Sequence, residues 1–207
     1  MTEKAHEIPD IIVARLPRYL RALSVLRENN VTTNSQELGV ILGYSAAQIR
    51  KDLSQFGEFG KQGTGYNIDF LYHQIESILK IDRGWKMLLV GCGNIGHAIL
   101  NYSGFSENGY HIAAAVDSNP ELIGKVINKD ICIRDFSEAE EIIKANDIKI
   151  AILTVPANAA QDVAEKLIGY GIKGILTYAP EILYLPDDIR VEYLDPVLSL
   201  QHITYYL

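Results

Sequence analysis

The stretch "MLLVGCGNIGHAIL", Met87 to Leu100, decides the fold. A short apolar strand, a glycine turn and the opening of a helix follow one another without a break. Gly91-x-Gly93-x-x-Gly96 has the spacing of a dinucleotide-binding turn. The first glycine permits the sharp turn, the second lets a pyrophosphate approach the backbone, and the third lets the helix pack close to the strand. Phosphates would then lie over the N-terminus of a helix beginning near Asn94, where free N–H groups and the helix dipole favour anions. The spacing alone is a weak signal. Here it follows a strand, opens a helix, and is followed 21 residues after Gly96 by Asp117, at the end of the next strand "HIAAAVD". That matches the separation expected of a ribose-binding carboxylate. Such a carboxylate accepts hydrogen bonds from the adenosine ribose hydroxyls and repels a 2′-phosphate, so the pattern predicts NAD(H) over NADP(H). The plainer alternative makes Asp117 an ordinary strand-end residue.

The rhythm continues outward from this stretch. "SEAEEIIKAN" predicts a helix capped by Ser137, with Glu140 completing a capping box. "IKIAILTVP" predicts a strand, "NAAQDVAEKLIGYG" a helix, "IKGILTYAP" a strand and "IRVEYL" one more. Alternating strands and helices of this length give a parallel sheet covered on both faces. The candidate cofactor set is Gly91, Cys92, Gly93, Asn94, Ile95, Gly96 and Asp117, joined by Thr154 and Pro156 at the end of the third strand and by Tyr102 after the loop helix. No internal repeat or low-complexity segment interrupts the pattern.

A dehydrogenase also needs a proton donor or acceptor beside the nicotinamide. The five histidines, His6, His73, His97, His111 and His202, sit in no catalytic motif, and there is no YxxxK and no Cys–His constellation. The cofactor fold uses the whole segment from Trp85 onward and leaves no substrate domain. Cys92, inside the loop, is either a small filler or a thiol activated by the helix N-terminus. Cys92 and Cys132 stand 40 positions apart, in no metal-binding or disulfide framework.

The N-terminal part differs in character. "RLPRYLRALSVLREN" places Leu16, Leu20, Leu23 and Leu26 at helical period, with Pro17 in the first turn. "NSQELGVILG" opens with Asn34 and Glu37 as a capping box and closes at Gly43. "SAAQIRKDLSQFG" opens with Ser45 and Gln48 as a second box and stops at Gly57. Two capped helices joined by a tight turn predict a helix-turn-helix over about residues 17–56. Ile49, Leu53 and Phe56 form the inner stripe of its second helix, whereas Ala47, Arg50, Lys51 and Ser54 share the other face. Small residues followed by Arg and Lys suit a helix entering the major groove. Ser45 and Gln48 at the helix start join this DNA-contacting set. Taken alone, the face also fits a solvated helix. "GEFGKQGTGY", with Lys61 and Gln62 at its centre, then reads as a hairpin wing over about residues 57–68. An interdomain loop is the alternative, but it would not require Phe56, Phe59 and Tyr66. "DFLYHQIESILKI" predicts a helix capped by Asp69, and a domain boundary falls at Asp82–Gly84.

Charge supports this division. The net charge of −7 argues on its face against a nucleic-acid partner, yet residues 1–80 hold nine Lys/Arg and nine Asp/Glu. All of the excess acid therefore lies in the second part. Between Arg15 and Lys61 seven basic residues face four acidic ones, a locally basic front able to bind phosphates. No apolar run reaches the roughly 18 residues needed to span a bilayer. The opening "MTEKAHEIPD" lacks the apolar core of a signal peptide, so a cytoplasmic location is expected. The final "PVLSLQHITYYL" predicts a helix with little polar surface, which either buries in its own domain or docks on a partner; the second is favoured.

"RLPRYLRAL", "QIRKDLSQFGEFGKQGTGY", "VGCGNIGHAIL" and "GIKGILTYAP" closely resemble the Rex family of redox-sensing transcriptional repressors, from about Ile8 to Leu207. The resemblance implies an α/β protein with an N-terminal winged helix-turn-helix domain (1–82), a C-terminal Rossmann domain (83–194) and a domain-swapped terminal dimerisation helix (195–207). It implies a homodimer that binds inverted-repeat operator DNA and is released by NADH, with NAD(H) as a regulatory ligand. It places Arg50 and Lys51 in the recognition helix and Lys61 and Gln62 in the wing. It also makes Arg21, Tyr102 and Asp195 a polar network linking cofactor state to domain orientation. Thr177, where many relatives carry Asn, and Pro196, where some carry an aromatic residue, depart from the family pattern. The rival expectations are a small NAD-dependent oxidoreductase and a CoA-binding module.

Overall fold

The computed structural model describes residues 8–57, 59, 65–128 and 131–207. The chain divides into two compact units, Met1–Asp82 and Arg83–Leu207.

Unit 1 runs α1 (Asp10–Val13), α2 (Leu16–Arg27), β1 (Thr32–Thr33), α3 (Ser35–Leu42), α4 (Ala46–Ser54), β2 (Tyr66–Asn67) and α5 (Ile68–Leu79). Leu16, Leu20 and Leu23 are buried as their spacing requires. They meet Leu38 of α3, Ile49 and Leu53 of α4, and Ile68, Leu71 and Ile75 of α5 in one core. Leu26 and Phe56 pack partly buried against it. The strand returning from the predicted wing, β2, pairs antiparallel with β1: Thr32 lies opposite Asn67 and Thr33 opposite Tyr66. The wing residues Lys61 and Gln62 lie outside the described residues.

The helix starts correct several expectations. Asn34 does cap α3, accepting from the Gln36 and Glu37 N–H groups. Glu37, however, takes the Thr33 hydroxyl at 2.9 Å rather than completing a capping box. Ser45 caps α4, but Gln48 points away and donates to Asp52 at 2.7 Å. α4 ends at Ser54, before Gly57. α5 is capped by Asn67, not Asp69, because the Asn67 side chain reaches the Phe70 N–H at 2.9 Å. Asp69 instead pairs with Arg27 at 2.5 Å.

Unit 2 runs β3 (Trp85–Val90), α6 (Asn94–Leu100), α7 (Gly104–Glu107), β4 (Tyr110–Asp117), β5 (Val126–Ile127), β6 (Ile131–Asp135), α8 (Ala139–Asn146), β7 (Ile150–Leu153), α9 (Ala157–Gly169), β8 (Gly174–Thr177), β9 (Arg190–Tyr193) and α10 (Pro196–Thr204). These strands form one sheet in the order β5-β6-β4-β3-β7-β8-β9. Only the edge pair β5–β6 is antiparallel. The sheet is covered on both faces, as alternation along β3 requires. Leu88 and Val90 pack with Ala139 and Ile143 of α8 and Ala160, Ala164 and Leu167 of α9. Met87 and Leu89 pack on the opposite side with Ile99 and Leu100 of α6.

Here too a predicted cap moves. Asp135, not Ser137, begins the segment before α8: its carboxylate accepts from the Ser137 N–H at 2.8 Å, and Glu138 completes the capping box over a single 3-10 turn. α7, β5 and β6 had no counterpart in the sequence reading. The strand order reverses between β3 and β7, which is where an open α/β sheet leaves a crevice beyond the strand ends.

Candidate functional site

The glycine turn lies at that crevice. Gly91 has a φ of +92°, a conformation that side-chain-bearing residues rarely adopt, and a Cβ there would meet the Thr154 carbonyl oxygen at 2.8 Å. A Cβ on Gly96 would collide with the Gly91 carbonyl oxygen. Gly93 is different: a Cβ there meets nothing within 4 Å. Two glycines are thus needed for the protein's own packing, and the third faces free space. That is the arrangement that a pyrophosphate lying over the start of α6 requires.

The space in question is a cleft of about 920 Å³. Its walls include Gly91, Gly93, Asn94, Ile95, Asp117, Thr154 and Pro156, seven of the residues predicted to hold a cofactor. The other three differ. Cys92 is fully buried beneath the turn, and Gly96 is sealed against Gly91. Tyr102 lines a neighbouring apolar cavity of about 600 Å³ with Phe105, Leu176 and Leu194. Asn94, Ile95 and Tyr178 belong to the walls of both spaces. Sequence reasoning missed Leu122, Phe136 and Tyr178 as cleft residues. Phe136 and Tyr178 each stand just past a strand end on the crevice side, a position that could have flagged them.

Asp117 has work of its own. Its Oδ2 accepts the Cys92 N–H at 2.5 Å and its Oδ1 accepts the Asn119 N–H at 2.8 Å. A carboxylate offers about four lone-pair sites, so both oxygens retain capacity for ribose hydroxyls. Thr154 acts through the loop: its hydroxyl donates to the Gly91 carbonyl at 2.5 Å, tying the end of β7 to the turn after β3. Burial, with the Asp117 charge adding to it, pushes the Cys92 thiol up to about 12, so it stays protonated at neutral pH. This rules out the activated-thiol reading. Thr177 is fully buried and its hydroxyl accepts the Ala179 N–H at 3.1 Å. Among the described residues no group of three or more His, Cys, Asp or Glu side chains is placed to hold a metal ion.

In unit 1, Ala47, Arg50, Lys51 and Ser54 are all exposed on one face of α4, as their spacing predicts. Arg50 donates to the Ser35 hydroxyl at 2.9 Å, which leaves most of its guanidinium donors free. Ser45 caps the helix, and Gln48 is half-buried and committed to Asp52. Asp52 itself is fully buried, which the sequence did not reveal. Arg15 grips it from α2's N-cap position with contacts of 2.6 and 2.7 Å, and the Tyr19 hydroxyl adds another at 2.7 Å. Burial pushes the Asp52 carboxyl up, but hydrogen bonds from Arg15, Tyr19 and Gln48 outweigh it and hold the group below its ordinary value.

The remaining predicted residues divide between the units. Arg21 is an exposed residue of α2. Tyr102 stacks edge-to-face on Phe105, with ring centroids 5.2 Å apart. Asp195 caps α10, accepting the Val197 N–H at 2.8 Å. α10 has no buried residue; Leu198, Leu200 and Ile203 are each more than half exposed.

Comparison with known proteins agrees with this division. The family described as "CoA binding domain" matches residues 82–181, and the one described as "Putative DNA-binding protein N-terminus" matches residues 7–54. A redox-sensing transcriptional repressor Rex from Roseiflexus sp. (strain RS-1) is 47% identical over 206 residues, covering 99% of this chain and 93% of its own. The Rex repressor of Brevibacillus brevis is 47% identical over 205 residues, with 99% of both chains covered. The crystal structure of RSP in complex with β-NAD+ and operator DNA superposes with a TM-score of 0.90 at 38% identity, covering 96% of this chain and 92% of that one. The RSP complex with β-NADH gives a TM-score of 0.88 at 36% identity, with 97% and 94% covered. Fold and relatives together define a transcriptional regulator built on a dehydrogenase-like domain, not an enzyme. The chain belongs to the Rex family of redox-sensing transcriptional repressors. The oxidoreductase expectation is thereby set aside, while the CoA-binding alternative shares its family description with unit 2.

Proposed function

We propose that the protein represses transcription as a homodimer on an inverted-repeat operator and leaves the DNA when NADH binds. The observation that carries this reading is the pairing, in one chain, of an exposed cationic recognition face with a glycine-lined dinucleotide cleft. Arg50 and Lys51 supply base-edge and phosphate contacts from α4, with Ala47 allowing close approach and Ser54 extending the face. Ser45 orients the helix start, and the wing residues Lys61 and Gln62 add backbone contacts.

In the cleft, the N–H groups at the start of α6 would take the pyrophosphate past Gly93, and Asp117 would take the adenosine ribose. The bound nicotinamide supplies the redox state that is read, and the protein carries no step of hydride transfer. Tyr102 and Asp195, acting with Arg21, pass the cofactor state to the DNA-binding unit. The apolar face of α10 joins two copies. A DNA-binding repressor acts where the chromosome is, so the location is the cytoplasm; no helix among the described residues is long and apolar enough to cross a membrane.

The test is a gel shift on an inverted-repeat operator. NADH should release the protein, whereas NAD+ and NADPH at the same concentration should leave it bound. Variants at Arg21, Tyr102 or Asp195 should still bind operator but resist NADH. A complex that survives saturating NADH would refute the reading.

A further inference from the structure

Among the described residues Asp52 is the one fully buried charged side chain. Four donors fill its two oxygens. Arg15 Nε and the Tyr19 hydroxyl reach Oδ2 at 2.6 and 2.7 Å, and Arg15 Nη2 and Gln48 Nε2 each reach Oδ1 at 2.7 Å. The pairing is bidentate, its Arg15 side chain only 17% exposed. Three of these bonds run from the start of α2 to α4, across 33 and 37 residues of sequence.

Stability alone is a poor reason for such a cluster. Replacing a buried ion pair with apolar residues of similar volume is often neutral or stabilising. The pair has something apolar contacts lack, which is direction: a guanidinium fork fixes both distance and rotation. The other buried anchors of α4 are Ile49 and Leu53, whose apolar burial is non-directional, and the Arg50 bond to the Ser35 hydroxyl is a single contact from the exposed face itself. A helix held only by them could turn or slide. A displacement of one residue along an α-helix rotates its side chains by about 100°. Arg50 and Lys51 are the two exposed residues directly preceding the buried Asp52 on the same helix, so any such rotation would aim them elsewhere.

We propose that Asp52, gripped by Arg15 and Tyr19, is a positioning residue for operator recognition, setting the rotation and register of α4 so that Ala47, Arg50 and Lys51 meet base edges together. The proposal rests on α4 being the recognition helix. The clamp contributes to discrimination between sequences more than to DNA affinity as such, since phosphate attraction tolerates misalignment and base readout does not.

The test uses the full chain carrying Arg15→Met with Asp52→Leu, which removes both charges and fills the space. The protein should fold, as judged by circular dichroism, and should bind NADH with wild-type affinity. Operator affinity should fall by about tenfold or more, while affinity for an unrelated duplex of equal length changes by less than about threefold. Operator affinity within twofold of wild type would overturn the proposal. Should the double variant fail to fold, Tyr19→Phe removes one bond and keeps the ion pair. It should still lower the operator-to-unrelated ratio with NADH binding intact, and an unchanged ratio would overturn the proposal. Arg50→Ala and Lys51→Ala serve as reference variants. If they retain full operator discrimination, the recognition-helix reading itself fails, and the clamp proposal with it.

Discussion

A methyl group has no room at Gly96 and ample room at Gly93. The two positions therefore separate folding from ligand binding, although both belong to one motif. Gly96→Ala should destabilise unit 2 by about 1–3 kcal/mol, the usual cost of overpacking. Gly93→Ala should leave the melting temperature unchanged and weaken NADH binding by about tenfold or more, because the new methyl occupies the approach of the pyrophosphate. Thermal melts beside NADH titrations check both; a Gly96→Ala protein that melts like wild type would contradict the packing argument. The same scale separates the two cysteines. Cys92 is buried, with its thiol raised to about 12, whereas Cys132 is exposed. A raised thiol pKa keeps the sulfur protonated and unreactive at any pH well below it. Thiol titration of the folded protein at pH 8 should therefore modify one cysteine per chain, and Cys132→Ser should abolish that reaction. Two fast thiols would contradict the burial of Cys92.

At the scale of elements, α10 presents the clearest unfinished surface. Val197, Leu198, Leu200 and Ile203 are all more than half exposed, and they share a helix with no buried residue. A second copy is the partner that covers them in this account. Leu200→Glu with Ile203→Glu should convert a dimer to a monomer in sedimentation, and a protein that stays dimeric would remove α10 from the interface. The sequence displayed these elements unevenly. Long periodic segments were legible, because 3.6-residue and 2-residue repeats of apolar residues survive any tertiary context. The cap positions were less so. Asn67 and Asp69, two positions apart like Asp135 and Ser137, are both good N-caps by residue type, and only the backbone path selects between them. β5 and β6 escaped notice because two- and five-residue strands give too few alternations to count. In the cleft the glycines and Asp117 were readable from spacing, whereas Phe136 and Tyr178 enter it through the sheet order. The Arg15–Tyr19–Asp52 cluster was illegible for the same reason: its partners lie 33 and 37 residues apart, and no local pattern marks them.

At the scale of the whole molecule, the chain joins two units that each fold around their own core, and its function lies in the coupling between their ligands. Coupling between two binding equilibria is reciprocal: whatever factor NADH takes from operator affinity, operator must take from NADH affinity. Typical coupling free energies of about 1–3 kcal/mol correspond to changes of roughly 5- to 150-fold. A ligand with equal affinity for the two states would move nothing, however tightly it bound. The cleft must therefore bind NADH differently in the DNA-bound and the free protein, and that difference is the repressor's signal. The direct measurement is the NADH dissociation constant, taken by fluorescence titration with and without saturating operator DNA. NADH should bind more weakly on the operator, by the same factor by which NADH weakens operator binding. An NADH affinity unchanged by saturating operator would contradict this coupling.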